Sequence, residues 1–297
     1  MSHLITKDSL RGVFPALVTP FTPDGSSINF KDLSKLLQFH LSAGVSGIVM
    51  AGSTGEAATL EDEEYRSLLE ATIKEVGGRI PVIAGVNSNS LSKSKKIIKI
   101  AEESRADGLL VVVPFYNKPS QEGIFEYFAA AKELTSLPVI AYNVPGRTVT
   151  NLAPETVFRL VDKKIIVGLK EASGSMDQML EIVRLCGDKL ALLSGEDSLF
   201  YSCLAIGGAG IISATANIIP EHFVAIHKSY INGDNKGSLA AQLNILPLIG
   251  SMFMESNPVP VKAALAMRGI ITSNSVRLPL IAASDKTRAR LSELFNS

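Results

Sequence analysis

Short apolar runs rich in β-branched residues recur along the chain, each followed by polar or Gly-rich residues and then by a helical stretch. They are "VFPALVT" from Val13, "GIVMAG" from Gly47, "PVIAGV" from Pro81, "GLLVVV" from Gly108, "PVIAYN" from Pro138, "IIVGLKE" from Ile165, "LALLSG" from Leu190 and "GAGIIS" from Gly208. Continuously apolar strands alternating with helices predict a parallel sheet buried on both faces. The intervening segments are amphipathic: "FKDLSKLLQFHLSAG" puts Leu33, Leu36, Leu37 and Leu41 on one helix face and ends on Gly44. Eight βα units in roughly 230 residues fit a closed (β/α)8 TIM barrel. An open doubly wound sheet is the runner-up, and the absence of GxGxxG after the first strand counts against it.

Beyond about Asn235 the pattern changes. "KGSLAAQLNILPLIGSMF", "NPVPVKAALAMRG" and "SDKTRARLSELF" read as helices with no further strand. The expected organisation is a barrel over 1–233 and a three-helix C-terminal extension over 234–297 packed on it, too short for a core of its own.

Barrel active sites form where strands end and βα loops begin. Those positions hold Thr19; Gly52, Ser53 and Thr54; Asn87; Tyr116; Tyr142; Lys170; Gly195; and Ser213, so apolar interiors give way to polar ends. Alternation along the sixth strand predicts Ile166, Gly168 and Lys170 on one face and Ile165, Val167 and Leu169 on the other. The bulkier set suits the helix-facing exterior, which turns Lys170 into the barrel and lets Gly168 leave space beside it. A lysine there either snorkels to solvent or serves as a nucleophilic amine. The inward face, the barrel and a phenol on the adjacent strand, Tyr142, favour the amine. Neighbouring strands lie about 4.8 Å apart, so that hydroxyl can reach the zone above Lys170. Tyr142 is either a proton-transfer group or a core aromatic. Glu171 faces outward and is not expected to pair with the lysine.

"AGSTGEAATLEDEE" follows the second strand. Ser53 and Thr54 supply hydroxyls, and the glycines let backbone N–H groups approach a ligand at the start of the next helix, a combination suited to an anion. The lysine of a P-loop is missing, so a small carboxylate fits better than a nucleotide; a plain tight turn is the other reading. The glycines of "IGGAGIIS" precede their strand and read as a close backbone approach. Arg147, just beyond the fifth strand, is either a surface charge or a carboxylate anchor.

Composition narrows the classes. The 297 residues are 46% hydrophobic, and 29 basic residues balance 29 acidic ones, so no basic field draws nucleic acid and no charge run suggests a membrane surface. "MSHLITKDSLRG" lacks the apolar stretch of a secretory signal, and no run approaches the ~18 residues of a membrane span. Cys186 and Cys203 form no CxxC, and His3, His40, His222 and His227 form no ligand cluster. A soluble cytoplasmic protein working without metal or cofactor is expected.

The combination "GSTGE", "PFYNKPSQEG", "YNVPGRT", "GLKEAS", "LLSGED" and "NPVPVK" resembles the dihydrodipicolinate synthase branch of the pyruvate-dependent, Schiff-base-forming aldolases and lyases. The likeness runs from "PALVTPF" to the C-terminal helices. It implies condensation of pyruvate with aspartate semialdehyde in a homotetramer (a dimer of tight dimers) or a dimer. Under it, Lys170 matches the Schiff-base lysine and Tyr142 the proton donor and acceptor. Thr54 and Tyr116 match the rest of a hydroxyl relay, with Tyr116 reaching into the neighbouring subunit's site. Ser53 and Thr54 would hold pyruvate's carboxylate, Arg147 would anchor that of aspartate semialdehyde, and Gly195 and Ile212 would line the site through their backbone.

Some positions depart from that pattern. Ser53 stands where the branch commonly has threonine, and Phe115 replaces a frequent tyrosine. The family's lysine-inhibition site corresponds here to Asp62, Tyr65 and Lys93, with Asn89 retained; a cation at Lys93 would repel an incoming ammonium, so weak or absent lysine inhibition is expected. The rival readings are a related class I pyruvate aldolase, acting on sialic acid, a 2-keto-3-deoxy sugar acid or 4-hydroxy-2-oxoglutarate, and a non-catalytic barrel that binds a keto acid. Arg147 separates the first of these, because sugar-acid branches generally lack it.

Overall fold

The computed structural model describes residues 4–296. His3 and the outermost residues of the two expected units, 1–3 and 297, lie outside that range.

Eight parallel strands form one sheet: β1 (Gly12–Pro15), β2 (Ile48–Met50), β3 (Val82–Val86), β4 (Gly108–Val112), β5 (Val139–Asn143), β6 (Gly168–Glu171), β7 (Ala191–Ser194) and β8 (Gly210–Ser213). From β2 to β8 each pairs with the next in sequence, and β8 pairs with β1. A parallel bridge from Ala16 to Val49, with Leu17 N donating to Val49 O at 2.9 Å, brings β1 against β2 and closes the ring. The expected (β/α)8 barrel is therefore the fold. The strands are shorter than the apolar runs that announced them, because several run ends cover loops. The three C-terminal helices span Asn235–Met252, Val259–Met267 and Asp285–Asn296. Among the described residues no helix is long and apolar enough to cross a membrane.

Two hydrophobic layers result. Inside the barrel, Phe14, Val49, Ile83, Ile140, Leu193 and Ile212 pack together. Outside it, the opposite strand faces meet the helices, each fully buried leucine contributing about 1.5–3 kcal/mol. The floor of the barrel is closed by the chain's leading segment, through Ile5 and Leu10, which join the inner layer. Glycines at the strand starts make this possible: a Cβ at Gly108 would lie 2.4 Å from Ile5 Cδ1, and one at Gly168 would lie 2.8 Å from Leu10 Cδ1. The space expected beside Gly168 is thus filled from below by Leu10. Gly210 likewise meets β1, where a Cβ would come within 2.1 Å of Gly12 O, so these glycines serve the backbone approach the sequence suggested.

The helix Phe30–Ala43 starts at Asn29, whose side chain accepts from Asp32 N, and stops at Gly44 in the left-handed region. Leu33, Leu36 and Leu37 are buried as expected, but Leu41 is only half-buried and His40 takes the deeper place. Among the described residues neither ring nitrogen of His40 has a partner, and burial pushes its pKa down to about 3. In the unfolded chain the imidazole titrates near 6.5, so the unfolded state binds the extra proton between about pH 6.5 and 3. Stability is therefore full above pH 6.5 and is lost as pH falls through that window. His40→Leu should gain on wild type by roughly 2–3 kcal/mol between pH 7 and pH 4.5 in urea unfolding. The same difference at both pH values would contradict the linkage.

Candidate functional site

β6 places Lys170 at the mouth of the barrel, in register with Tyr142 on β5. The amine lies 4.2 Å from the centroid of the Tyr142 ring, and both side chains are almost wholly buried. Alternation holds from Gly168 onward, with Leu169 in the outer layer. It fails before the strand begins, where Ile166 joins the outer layer and Val167 packs against the inner one. No carboxylate forms an ion pair with Lys170 among the described residues. Glu171 turns the other way, as expected, and accepts from Asn143 Nδ2 at 3.0 Å, Ser173 N at 2.7 Å and Gln178 Nε2 at 3.1 Å.

Gly195, after β7, makes room for the lysine. A Cβ there would stand 3.1 Å from Lys170 Cε and 2.6 Å from Ala172 Cβ. Ile212 lies on β8 in the inner layer, paired with Phe14. Two carboxyls that the sequence reading passed over, Glu196 and Asp197, follow Gly195 and feel the charge of Lys170. Burial raises the pKa of Glu196, and Asp197's charge adds to the rise while the charge of Lys170 opposes it. Burial also raises Asp197, against hydrogen bonds from Thr215 and Ser213 and the pull of Lys170.

The turn after β2 is built by close contacts. Ala51 and Glu56 both adopt left-handed backbone (φ 51° and 55°). A Cβ at Gly85 of β3 would meet Ala51 O at 2.2 Å, so the turn lies directly on that glycine. Gly55 N donates to Gly52 O and Glu56 N to Ser53 O, and among the described residues the N–H groups of Ser53 and Thr54 meet no backbone acceptor. The expected cradle at a helix start is not formed: a single 3-10 turn, Ala57–Thr59, comes first, and the helix Asp62–Val76 begins later.

Ser53 and Arg147 line one cavity of about 320 Å³, shared with Asn87, Val112, Phe115 and Asn257. A larger groove of about 790 Å³ lies at the opposite end, around Lys74, Glu102 and Arg105, and holds none of the site residues. Arg147 Nη2 donates to Asn257 O at 3.2 Å, and Asn257 Nδ2 donates to Thr54 Oγ1 at 2.8 Å. Tyr116 stands apart from Thr54 and Tyr142 in the single chain. It follows β4 with left-handed backbone (φ 72°) and is 86% exposed.

Beneath the turn sits a buried ion pair. Lys262 Nζ lies 2.5 Å from Glu56 Oε1, donates to Ser275 O at 2.7 Å and stands 4.1 Å over the Phe21 ring. Arg277 N donates to the other Glu56 oxygen at 2.9 Å. Burial pushes the Lys262 pKa down to about 8 against the pull of Glu56. "GSTGE" and "NPVPVK" therefore meet in space. Asn257 and Lys262 were missed as site residues; the usable signal was a charged residue inside the apolar stretch "NPVPVKAALAM", the same clue that exposed Lys170. Among the described residues no three His, Cys, Asp or Glu side chains group as a metal-holding set.

The profile of the dihydrodipicolinate synthetase family matches residues 9–297. A 4-hydroxy-tetrahydrodipicolinate synthase of Thermodesulfovibrio yellowstonii is 45% identical over 287 residues, 97% of this chain and 98% of that one. The crystal structure of dihydrodipicolinate synthase from Thermotoga maritima superposes with a TM-score of 0.93 at 39% identity, covering 96% of this chain and 97% of that one. The chloride-inhibited dihydrodipicolinate synthase of Acinetobacter baumannii, solved with pyruvate, gives a TM-score of 0.94 at 36% identity over 97% of this chain and 98% of that one.

Proposed function

The chain belongs to the dihydrodipicolinate synthetase family, and from that premise we propose which of its residues condense pyruvate with L-aspartate-4-semialdehyde to 4-hydroxy-tetrahydrodipicolinate. The observation that carries the assignment is the buried amine of Lys170, 4.2 Å from the centroid of the Tyr142 ring and in no ion pair among the described residues.

Pyruvate's carboxylate is held by the free N–H groups and hydroxyls of Ser53 and Thr54. Lys170 Nζ attacks the ketone carbon to give a carbinolamine. Tyr142, with Thr54 in relay, returns a proton to the hydroxyl, which leaves as water and yields an iminium. The iminium draws electrons from the methyl C–H bond; loss of that proton gives an enamine. The enamine carbon then bonds to the aldehyde carbon of the second substrate, whose oxygen takes up a proton. The substrate's own amine adds to the iminium carbon and displaces Lys170, closing the ring and restoring the free lysine. The net by-product is the single water lost at the carbinolamine. Arg147, on the cavity wall beside Ser53, anchors the semialdehyde's carboxylate. Gly195 gives the lysine stem its room, and the backbone around Ile212 forms the opposite wall.

Tyr116, exposed in one chain, completes the relay of a neighbouring subunit in a dimer or a dimer of dimers. The barrel over 1–233 is the catalytic unit and 234–297 its extension. Two free, buried cysteines and a zero net charge fit a cytoplasmic enzyme.

A coupled steady-state assay tests the substrate pair. Turnover with pyruvate and aspartate semialdehyde should exceed cleavage of sialic acid or of a 2-keto-3-deoxy sugar acid by orders of magnitude; the reverse preference would overturn the role of Arg147. The same assay with L-lysine should show little inhibition at submillimolar concentration. Tyr65 is buried with its hydroxyl donating to Gly85 O at 3.0 Å, and Lys93 is exposed as a competing cation.

A further inference from the structure

We propose that Asn143 and Glu171 are positioning residues: hydrogen-bonded to each other on the outer face of the barrel, they set how Lys170 meets Tyr142 on the inner face. The inference rests on the reading of Lys170 and Tyr142 as the reacting pair. Tyr142 of β5 lies beside Lys170 of β6, and the next residue of each strand, Asn143 and Glu171, lies beside the other. Alternation turns this second pair outward. Asn143 Nδ2 donates to both Glu171 oxygens, at 3.3 Å and 3.0 Å. One cross-strand contact therefore sits a single residue along from the reacting groups on both strands.

Packing alone does not call for polar groups here. The preceding outward positions, Val139 and Ala141 on β5 and Leu169 on β6, are apolar and belong to the outer layer. Asn143 and Glu171 continue those faces, and both are fully buried. Among the described residues no cation forms an ion pair with Glu171; its other partners are Ser173 N at 2.7 Å and Gln178 Nε2 at 3.1 Å. A buried carboxylate held only by neutral donors is costly, so its retention calls for a reason. Apolar contacts are non-directional, whereas hydrogen bonds fix both distance and direction. The rest of the network reaches the same place. Asn143 Oδ1 accepts from Leu152 N at 2.9 Å, and Asn143 O accepts from Ala172 N at 2.9 Å. Glu171 O accepts from Gly195 N at 2.7 Å, and Gly195 is the residue that leaves room for the lysine stem. On the inner face, no hydrogen bond ties Lys170 Nζ or the Tyr142 hydroxyl to the described residues. Amine and phenol stay free to react, and their placement comes from the strands that carry them.

The near-isosteric Glu171→Gln turns half of the acceptor into a donor that faces other donors. Borohydride-trappable adduct formation at saturating pyruvate should slow about 10–100-fold, because small displacements of reacting groups cost that much. The half-saturating pyruvate concentration should stay within about threefold of wild type, since the network does not touch the loop after β2. Asn143→Asp alone sets acceptor against acceptor and should be similarly slow. Combining the two exchanges donor and acceptor, with the amides of Gln178 and Asn151 turned to match, and should recover the rate at least about fivefold over either single variant. Should Glu171→Gln fail to fold, the milder Asn143→Ser leaves Glu171 on Ser173 and Gln178 and should still slow trapping about fivefold or more.

A folded single variant that traps pyruvate within twofold of the wild-type rate would overturn the proposal, whatever its Tm, because the outer pair would then serve stability alone. So would an exchanged double variant with the wild-type Tm that stays as slow as the single ones. Peptide mapping of the trapped wild type identifies which claim has failed. If wild type is labelled at Lys170 and the variants match its rate, the role of the outer pair alone falls. If wild type is not labelled at Lys170, the Schiff-base assignment falls and this inference with it.

Discussion

Lys170→Ala is expected to lower kcat/KM by at least about 10⁴-fold, which is more than about 5 kcal/mol of transition-state stabilisation. Pyruvate plus borohydride should label wild type on the peptide carrying residue 170 and leave the variant unlabelled. The size of the loss follows from the chemistry, because among the described residues no second buried lysine stands over the Tyr142 ring to form an iminium. Lys262, the other deeply buried lysine, is held by Glu56 beneath the loop. Fold stability should be unharmed or slightly improved. Among the described residues Lys170 has no ion-pair partner to strand, and removing a buried unpaired amine relieves desolvation, offset in part by the lost pull on Glu196 and Asp197. An alanine variant still labelled at wild-type levels would remove Lys170 from the reaction.

The second large effect is on stability. Lys262→Met should cost about 3–5 kcal/mol, because it leaves the Glu56 carboxylate buried without its cation. With an unfolding entropy of about 2.1 cal/mol/K per residue, the 297 residues give ~0.6 kcal/mol/K, so Tm should drop by roughly 5–8 °C. Adding Glu56→Gln removes the stranded charge, so the double variant should be less damaged than the two single losses added together. Urea unfolding of all four proteins at pH 7 checks this. A single-variant loss below about 1 kcal/mol would mean that the pair is solvated and does not brace the loop. Catalysis should respond too, since Glu56 ends the turn that carries Ser53 and Thr54.

These two lysines show what the sequence could reveal. The barrel was legible because its strands are buried on both faces and so read as unbroken apolar runs. Lys170 was legible because a charge inside such a run is conspicuous and strand alternation gives its side. Alternation assigned Gly168, Leu169 and Lys170 correctly and misplaced Ile166 and Val167, which lie in the turn before the strand and follow no period of two. The loop after β2 was read as a helix-start cradle because glycines and hydroxyls precede an acidic helical pattern. Nothing in that pattern shows that Gly55 and Glu56 would use their N–H groups within the turn itself. The contacts of Thr54 with Asn257 and of Glu56 with Lys262 join positions 203 and 206 residues apart, beyond the reach of any local period. Tyr116 was legible only as a polar residue at a strand end, and its expected role came from the family likeness, since within one chain it stands 86% exposed.

The floor made by Ile5 and Leu10 has a practical consequence for handling the protein. Carriers, affinity handles or surface linkages joined ahead of Leu4 sit at the end of the barrel remote from substrate traffic and should leave turnover untouched. Trimming the chain as far as Leu10 would instead unplug the bottom and expose Phe14 and Ile140 to water. Attachments after Asn296 load the last helix of the extension, whose start is tied through Ser284 and Thr287 to Glu255, two residues before Asn257, so immobilisation belongs at the amino end.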